Sequence, residues 1–545
     1  MNLPGGIPSA HTDTFARTLL PARKYWPEFD YSADHLSHYP DQINAVEVLL
    51  DNAIREGAGD KPAYIHQGET WTYSMLKEQA ERIARVLVED YGLEPGNRVL
   101  LRSANNPMVI ACWLGVLKAG GICVSTMPLL RAKELSYIVE RVKIRLALCE
   151  YSLDSEMEKA KDLSPCLERV SYFSPLGQNN DEKADLDRRT AEKQPSFENV
   201  KTAADDVALI VFTSGSTGQP KAAAQFHRDI LAVSDSVPLT YRIQADDVIC
   251  GSPTFAFTYG LAAFILYPLR YRACAVLTPP KPELILQAIA QHRVTNLLAV
   301  PTSFNAMLNI IDNYDTSSLR QCSSAGEHLQ LPLWEKWLEK TGVRIINGVG
   351  ATEFMSHFLS DDVAVNRPGT AGRAVPGFKV KIIDQLGNEV PRGTSGLIAI
   401  KGPTGCRYLD DEDRQRGFVR DGWNVPSDLF MQDEDGYFWY LDRADDIIVS
   451  SGYNISPLEV ERCILEHPLV AECAVVGVPD SERGKLVRAC VVLKNPALEG
   501  AQTAKSIQDF VKENIAPYKY PRDIVFFDEL PRTPTGKIQR FRLLE

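Results

Sequence analysis

The chain has no run approaching the ~20 apolar residues needed to cross a bilayer. Its first 24 residues carry His, Asp and Arg at close intervals in place of the continuous apolar core of a secretion signal. Its 11 cysteines include no C-x-x-C pair and are scattered singly from Cys112 to Cys490, which disfavours a disulfide frame or a thiolate zinc site and predicts idle thiols in a reducing compartment. No long basic run is present, and 71 Asp and Glu against 59 Lys and Arg give a formal net charge of -12, which argues against a nucleic-acid partner. Neither an internal repeat nor a low-complexity tract interrupts the sequence. These absences leave a cytoplasmic enzyme with no membrane partner as the expectation.

At 545 residues, 44% hydrophobic and 24% charged, the chain is ordinary globular material but longer than one core usually organises. Apolar strands alternate with amphipathic helices through the first third. Ser74 is placed to cap a helix whose Leu76, Ala80, Ile83 and Leu87 share a face and whose end meets Gly92. Strand Arg98–Leu101, a helix over Met108–Ala119 and strand Ile122–Ser125 continue the alternation, which is a doubly wound α/β pattern. Residues Gly177–Asp206 are polar and are expected to form an exposed connection. After Val380 shorter strands and Gly/Asp turns predict a β-rich subdomain. Ser456-Pro457-Leu458-Glu459 then reads as a helix start, with a cap serine, proline in the first turn and the glutamate closing a capping box. The division expected is 1–444 for a large N-terminal α/β domain and 445–545 for a small mobile α+β domain with strands Cys473–Val478, Val487–Leu493 and Ile524–Phe527.

The densest chemical signal is Thr213-Ser214-Gly215-Ser216-Thr217-Gly218-Gln219-Pro220-Lys221, directly after the apolar run Val207–Phe212. Glycines let backbone N–H groups turn toward an anion, hydroxyls add donors and Lys221 adds a full charge, so the stretch reads as a phosphate cradle at the end of a buried strand. Its spacing differs from that of the common P-loop, because Pro220 would obstruct a helix starting there.

Four further segments follow in order: Gly350-Ala351-Thr352-Glu353, Pro426-Ser427-Asp428 before Tyr437–Arg443, Arg443-Ala444-Asp445-Asp446, and Pro534-Thr535-Gly536-Lys537. Together with the cradle they resemble the adenylate-forming family of acyl-CoA synthetases, firefly-type luciferases and peptide-synthetase adenylation domains. The resemblance implies ATP, Mg²⁺ and coenzyme A as cofactors or co-substrates. It puts the β- and γ-phosphates on the cradle, the α-phosphate on Thr352, magnesium on Glu353 with Thr213, and the ribose on Asp428 with Arg443. Gly326, Glu327, Val349 and Gly350 would complete the nucleotide site. Lys537 would bridge the substrate carboxylate and the α-phosphate, and Asp445 would be the hinge about which the small domain swings, bringing Ser451-Gly452-Tyr453 to the thiol channel.

The stretch Ser252–Leu261 falls where the family builds its acyl pocket, and Phe255, Ala256, Phe257, Tyr259 and Gly260 offer walls suited to a flat uncharged ring. With Leu19–Arg23 and Trp26-Pro27 they are similar to the benzoate and 2-aminobenzoate CoA ligase branch. Two positions depart from family patterns. Val349 stands where the wider family often stacks an aromatic side chain on adenine, although benzoate ligases tend to have an aliphatic residue there too, and Ser356 stands where many benzoate ligases have histidine, with His357 one place on. His227 is equally suited to touch substrate or to start the next helix. The expected activity is ATP-dependent conversion of an aromatic acid to its CoA thioester by a monomer or homodimer. The alternatives are loading of a carrier protein, a nucleotide-binding scaffold without catalysis, and light-emitting oxidation of the adenylate.

Overall fold

The computed structural model describes residues 7–178, 183–213, 220–326, 329, 331–364, 367–443, 448–531, 538 and 540–544. One six-stranded sheet runs in the order Arg169–Phe173, Leu146–Glu150, Arg98–Arg102, Ile122–Thr126, Val207–Thr213, Lys221–Phe226. It is parallel except for the last pair, where the strand leading into the cradle lies antiparallel to the strand leaving it, with Thr213 opposite Lys221. A nine-stranded sheet carries six parallel strands at its centre, Ile345–Ala351, Gln321–Ser324, Asn296–Ala299, Val248–Gly251, Cys274–Val276 and Pro62–His66, with antiparallel strands at both edges. Parallel strands are covered on both faces, and the near-continuous apolar runs follow from that.

Helix Tyr73–Arg85 buries Leu76, Ala80 and Ile83, as its periodicity predicts, with Leu87 buried in the turn beyond it. Its cap is Thr72, whose hydroxyl accepts from Met75 N at 3.2 Å; Ser74 lies inside the first turn. Asn106 caps Pro107–Lys118 in the same way, accepting from Val109 N at 2.9 Å. The polar stretch 177–206 is more than an exposed connection. It holds helix Asp185–Glu192 with Leu186 and Thr190 buried, and buries Thr202, Ala203 and Ala204. Asp187 is the reason, since its carboxylate accepts from both the backbone N–H and the hydroxyl of Ser174 and draws a hydrophilic segment onto the sheet.

The β-rich subdomain is a six-stranded sheet spanning Lys379–Ile383 to Phe438–Arg443. The C-terminal unit is a five-stranded sheet of Tyr453–Ile455, Ile448–Ser450, Gly484–Leu493, Val470–Asp480 and Asp523–Phe526, with helices Pro457–Leu465 and Ala501–Asn514 against it. All 11 cysteines are free thiols, ten of them buried. Among the described residues no helix is long and apolar enough to cross a membrane.

Candidate functional site

A cavity of about 1040 Å³ opens where the carboxyl ends of parallel strands from both large sheets converge, the usual place for a ligand in open α/β sheets. Its walls include Thr213 at the end of the strand that feeds the cradle, Gly326 after Gln321–Ser324, and Gly350 and Thr352 at the end of Ile345–Ala351. Ala256, Phe257, Tyr259 and His357 form another part of the wall, and Ser451, Gly452 and Tyr453 approach from the C-terminal unit. Segments more than two hundred residues apart thus share one space.

Strand Val248–Gly251 delivers the turn that carries Ala256 and Phe257, and Asn105 from the other sheet pins it. Asn105 Oδ1 accepts from Phe255 N at 2.9 Å, and its Nδ2 donates to Pro253 O at 2.8 Å. Gly260 brings the following helix onto this turn, because a Cβ there would sit 1.9 Å from Thr254 O. Phe257 is 40% exposed, and its ring meets that of Tyr453 at 6.2 Å. His357, 3% exposed, has Nδ1 2.9 Å from Tyr241 Oη, with the Tyr259 ring 5.4 Å away. Burial brings its pKa down to about 4, so the imidazole is neutral near pH 7.

Glu353 is buried behind Thr352. Tyr408 donates its hydroxyl to Glu353 Oε1 at 2.5 Å, Gln225 donates to the Glu353 carbonyl at 3.0 Å, and the Lys221 ammonium lies 5.3 Å from the Tyr408 ring centre. The other carboxylate oxygen has no protein partner among the described residues. Tyr408 escaped the sequence reading because it lies 55 positions from Glu353 in a segment without a recognisable spacing. Asn105 and Gln225 escaped for the same reason.

Several predicted site residues stand elsewhere. Phe255 is 1% exposed and packs in the main core, and neither it nor Gly260 borders the cavity. Their part is to shape the turn. Lys221, Val349, Glu353 and Asp428 also lie off the cavity wall; Lys221 borders a smaller adjoining pocket with Arg141 and Arg414. Asp428 pairs with Arg443 in strand register. His227 is fully buried, accepts from Ala45 N at 3.1 Å and does not reach the cavity, so of its two roles the structural one holds. Ser214, Gly215, Ser216, Thr217, Gly218, Glu327, Asp445 and Lys537 lie outside the described residues, and of Arg443 only the backbone is described.

Residues 50–407 match the AMP-binding enzyme family, and residues 459–537 match the AMP-binding enzyme C-terminal domain. The chain belongs to the AMP-binding enzyme family. Benzoate–CoA ligase of Thauera aromatica is 31% identical over 512 residues, covering 92% of this chain and 96% of that protein. The mitochondrial acyl-coenzyme A synthetase ACSM3 of Homo sapiens is 33% identical over 534 residues, covering 92% and 89%. Among solved structures, the anthranilate CoA ligase AuaEII in complex with anthranoyl-AMP matches with a TM-score of 0.70 at 29% identity, covering 93% of this chain and 98% of that one. This AMP-binding enzyme is therefore an acid–thiol ligase of the adenylate-forming superfamily, in its benzoate and 2-aminobenzoate CoA ligase branch.

Proposed function

We propose that the protein joins an aromatic carboxylic acid, benzoate or 2-aminobenzoate, to coenzyme A through an acyl-adenylate. The observation that carries this is the single cavity in which Thr213 and Gly350–Thr352 face an aromatic wall of Phe257, Tyr259 and neutral His357, with Ser451–Tyr453 at its side. The wall formed by residues 252–254, 256–259 and 356–357 carries no carboxylate, which favours an uncharged ring at that part of the cavity.

A carboxylate is a poor acyl donor until oxide is replaced by a better leaving group. In the first step its oxygen attacks the α-phosphorus of ATP, and the bond to the β-phosphate oxygen breaks to release pyrophosphate. In the second the thiol sulfur attacks the acyl carbon, losing its proton, and AMP departs. An anion meets a polyanion in the first step, so oriented donors and positive charge lower its barrier. The cradle Thr213–Gly218 with Lys221 would supply them to the β- and γ-phosphates, Thr352 to the α-phosphate, and Lys537 to both reacting groups. Asp428 and Arg443 would hold the ribose, and Gly326, Glu327 and Val349 the base.

Glu353 fits a hard divalent cation, having one carboxylate oxygen held by Tyr408 and the other unpartnered among the described residues. Magnesium bound there would neutralise phosphate charge. No group of three or more His, Cys, Asp or Glu suited to a metal exists among the described residues, so triphosphate oxygens would complete its coordination. Ser451–Tyr453 beside the cavity corresponds to the thiol-transfer arrangement, reached by rotation near Asp445 between units 1–444 and 445–545.

Pyrophosphate release with Mg²⁺ and ATP, run across benzoate analogues, tests the reading. Carboxylate-dependent release that is strongest for benzoate or its 2-amino derivative, followed by thioester formation with free CoA, is expected. Thioester formation only on a carrier protein would replace the acceptor, and absence of AMP and pyrophosphate with every aromatic acid would overturn the proposal.

A further inference from the structure

Lys519 is 6% exposed, and its ammonium donates to two carboxylates, Glu134 Oε1 and Glu459 Oε1, each at 2.6 Å. Glu459 lies in helix Pro457–Leu465 and Lys519 in the turn Pro517–Lys519, both in the C-terminal unit. Glu134 belongs to helix Ala132–Arg141 of the large unit. The three groups therefore bridge the two units. Glu459 does not close a capping box, as the sequence suggested; Ser456 Oγ still accepts from Glu459 N at 3.4 Å, but the carboxylate is turned to Lys519.

The arrangement can open without stranding a buried charge. If the units separate, Lys519 keeps Glu459, and Glu134 keeps the other use of its carboxylate, an Oε2 that accepts from Arg131 N at 3.0 Å. A buried pair that loses one partner outright is costly, whereas this one is divided so that each half stays satisfied. Burial disfavours the ammonium, but the carboxylates of Glu459 and Glu134 oppose this and hold Lys519 protonated. Among the described residues a second ion pair between the units, Lys133 with Glu466 at 2.7 Å, is more than half exposed on both sides and contributes little.

The clasp borders the cavity directly, since Glu134, Glu459, Tyr518 and Lys519 all stand on its wall, and it also reaches Tyr453. Tyr518, next to Lys519 in the chain, stacks on Tyr453 with ring centres 4.0 Å apart and planes 22° apart, and Tyr453 in turn meets Phe257. We infer that Lys519, held between Glu134 and Glu459, is a positioning residue that keeps Ser451–Tyr453 against the cavity and so controls thiol transfer more than adenylation. The inference rests on the two-step reading given above.

The test uses the full-length enzyme with benzoate for adenylation and preformed benzoyl-AMP plus CoA for transfer. Glu134→Gln and Lys519→Met are each expected to slow transfer by about tenfold while changing pyrophosphate release by no more than about twofold. The double variant should be no slower than Lys519→Met, and Lys519→Arg should recover most of the transfer rate. If the wild type performs both steps and the variants lose both equally, or lose neither, the clasp is overturned. If the wild type performs neither step, the two-step reading itself falls and the clasp falls with it. Should Lys519→Met fail to fold, Glu134→Gln, which swaps one oxygen for an amide, carries the comparison.

Discussion

Burial of imidazole rings predicts a loss of stability in acid. His357 is taken down to about 4 and His227 to about 3, in both cases first by desolvation. A histidine whose folded pKa lies below its unfolded value binds more protons when unfolded, so its contribution is fully present above about 6.5 and is lost as the pH falls toward 4. The expected outcome is a melting temperature that is flat near neutrality and declines below pH 6.5. His357→Gln should make that decline shallower, as measured by thermal unfolding across the range, and an unchanged slope would show that the ring is solvated. At this same scale Glu353 depends on Tyr408, a residue no local pattern singles out.

Among the elements, the pairing of Ile345–Ala351 with Ser356–Ser360 sets the floor of the cavity. Gly350 stands opposite His357 there, and a Cβ at Gly350 would come within 2.2 Å of Ser356 O. Gly350→Ala must push the two strands apart. It should cost about 1–3 kcal/mol of stability and lower adenylation more than it raises the KM for ATP, measured by thermal denaturation alongside pyrophosphate release. Elements were legible from periodicity, as for Tyr73–Arg85 and Pro107–Lys118, although the first is capped by Thr72 and not by Ser74. Local pattern failed where a partner outside the segment decided. Asp187 folds a polar segment onto a sheet through Ser174, and Glu459 gives up its cap for Lys519.

For the whole molecule, the proposed two-step chemistry would have one cavity completed in turn by different parts of the C-terminal unit. Lys537→Ala is expected to reduce adenylation by about 10²-fold or more while sparing thioester formation from preformed benzoyl-AMP. Equal loss of both half-reactions would show that the lysine acts in neither step alone.

The sequence by itself determined the family, through motifs that resemble it, and the doubly wound alternation of strands and helices, because that alternation is a local pattern fixed by the period of apolar residues. Only the tertiary structure decided which aromatic side chains face the cavity and which fill the core, since Phe255 and Phe257 are two places apart and equally apolar, yet a turn pinned by Asn105 sends one inward and the other to the cavity. It also decided the partners of Glu353 and Lys519, because charge and hydrogen-bond satisfaction are settled by groups that stand 55 to 385 positions away in the chain.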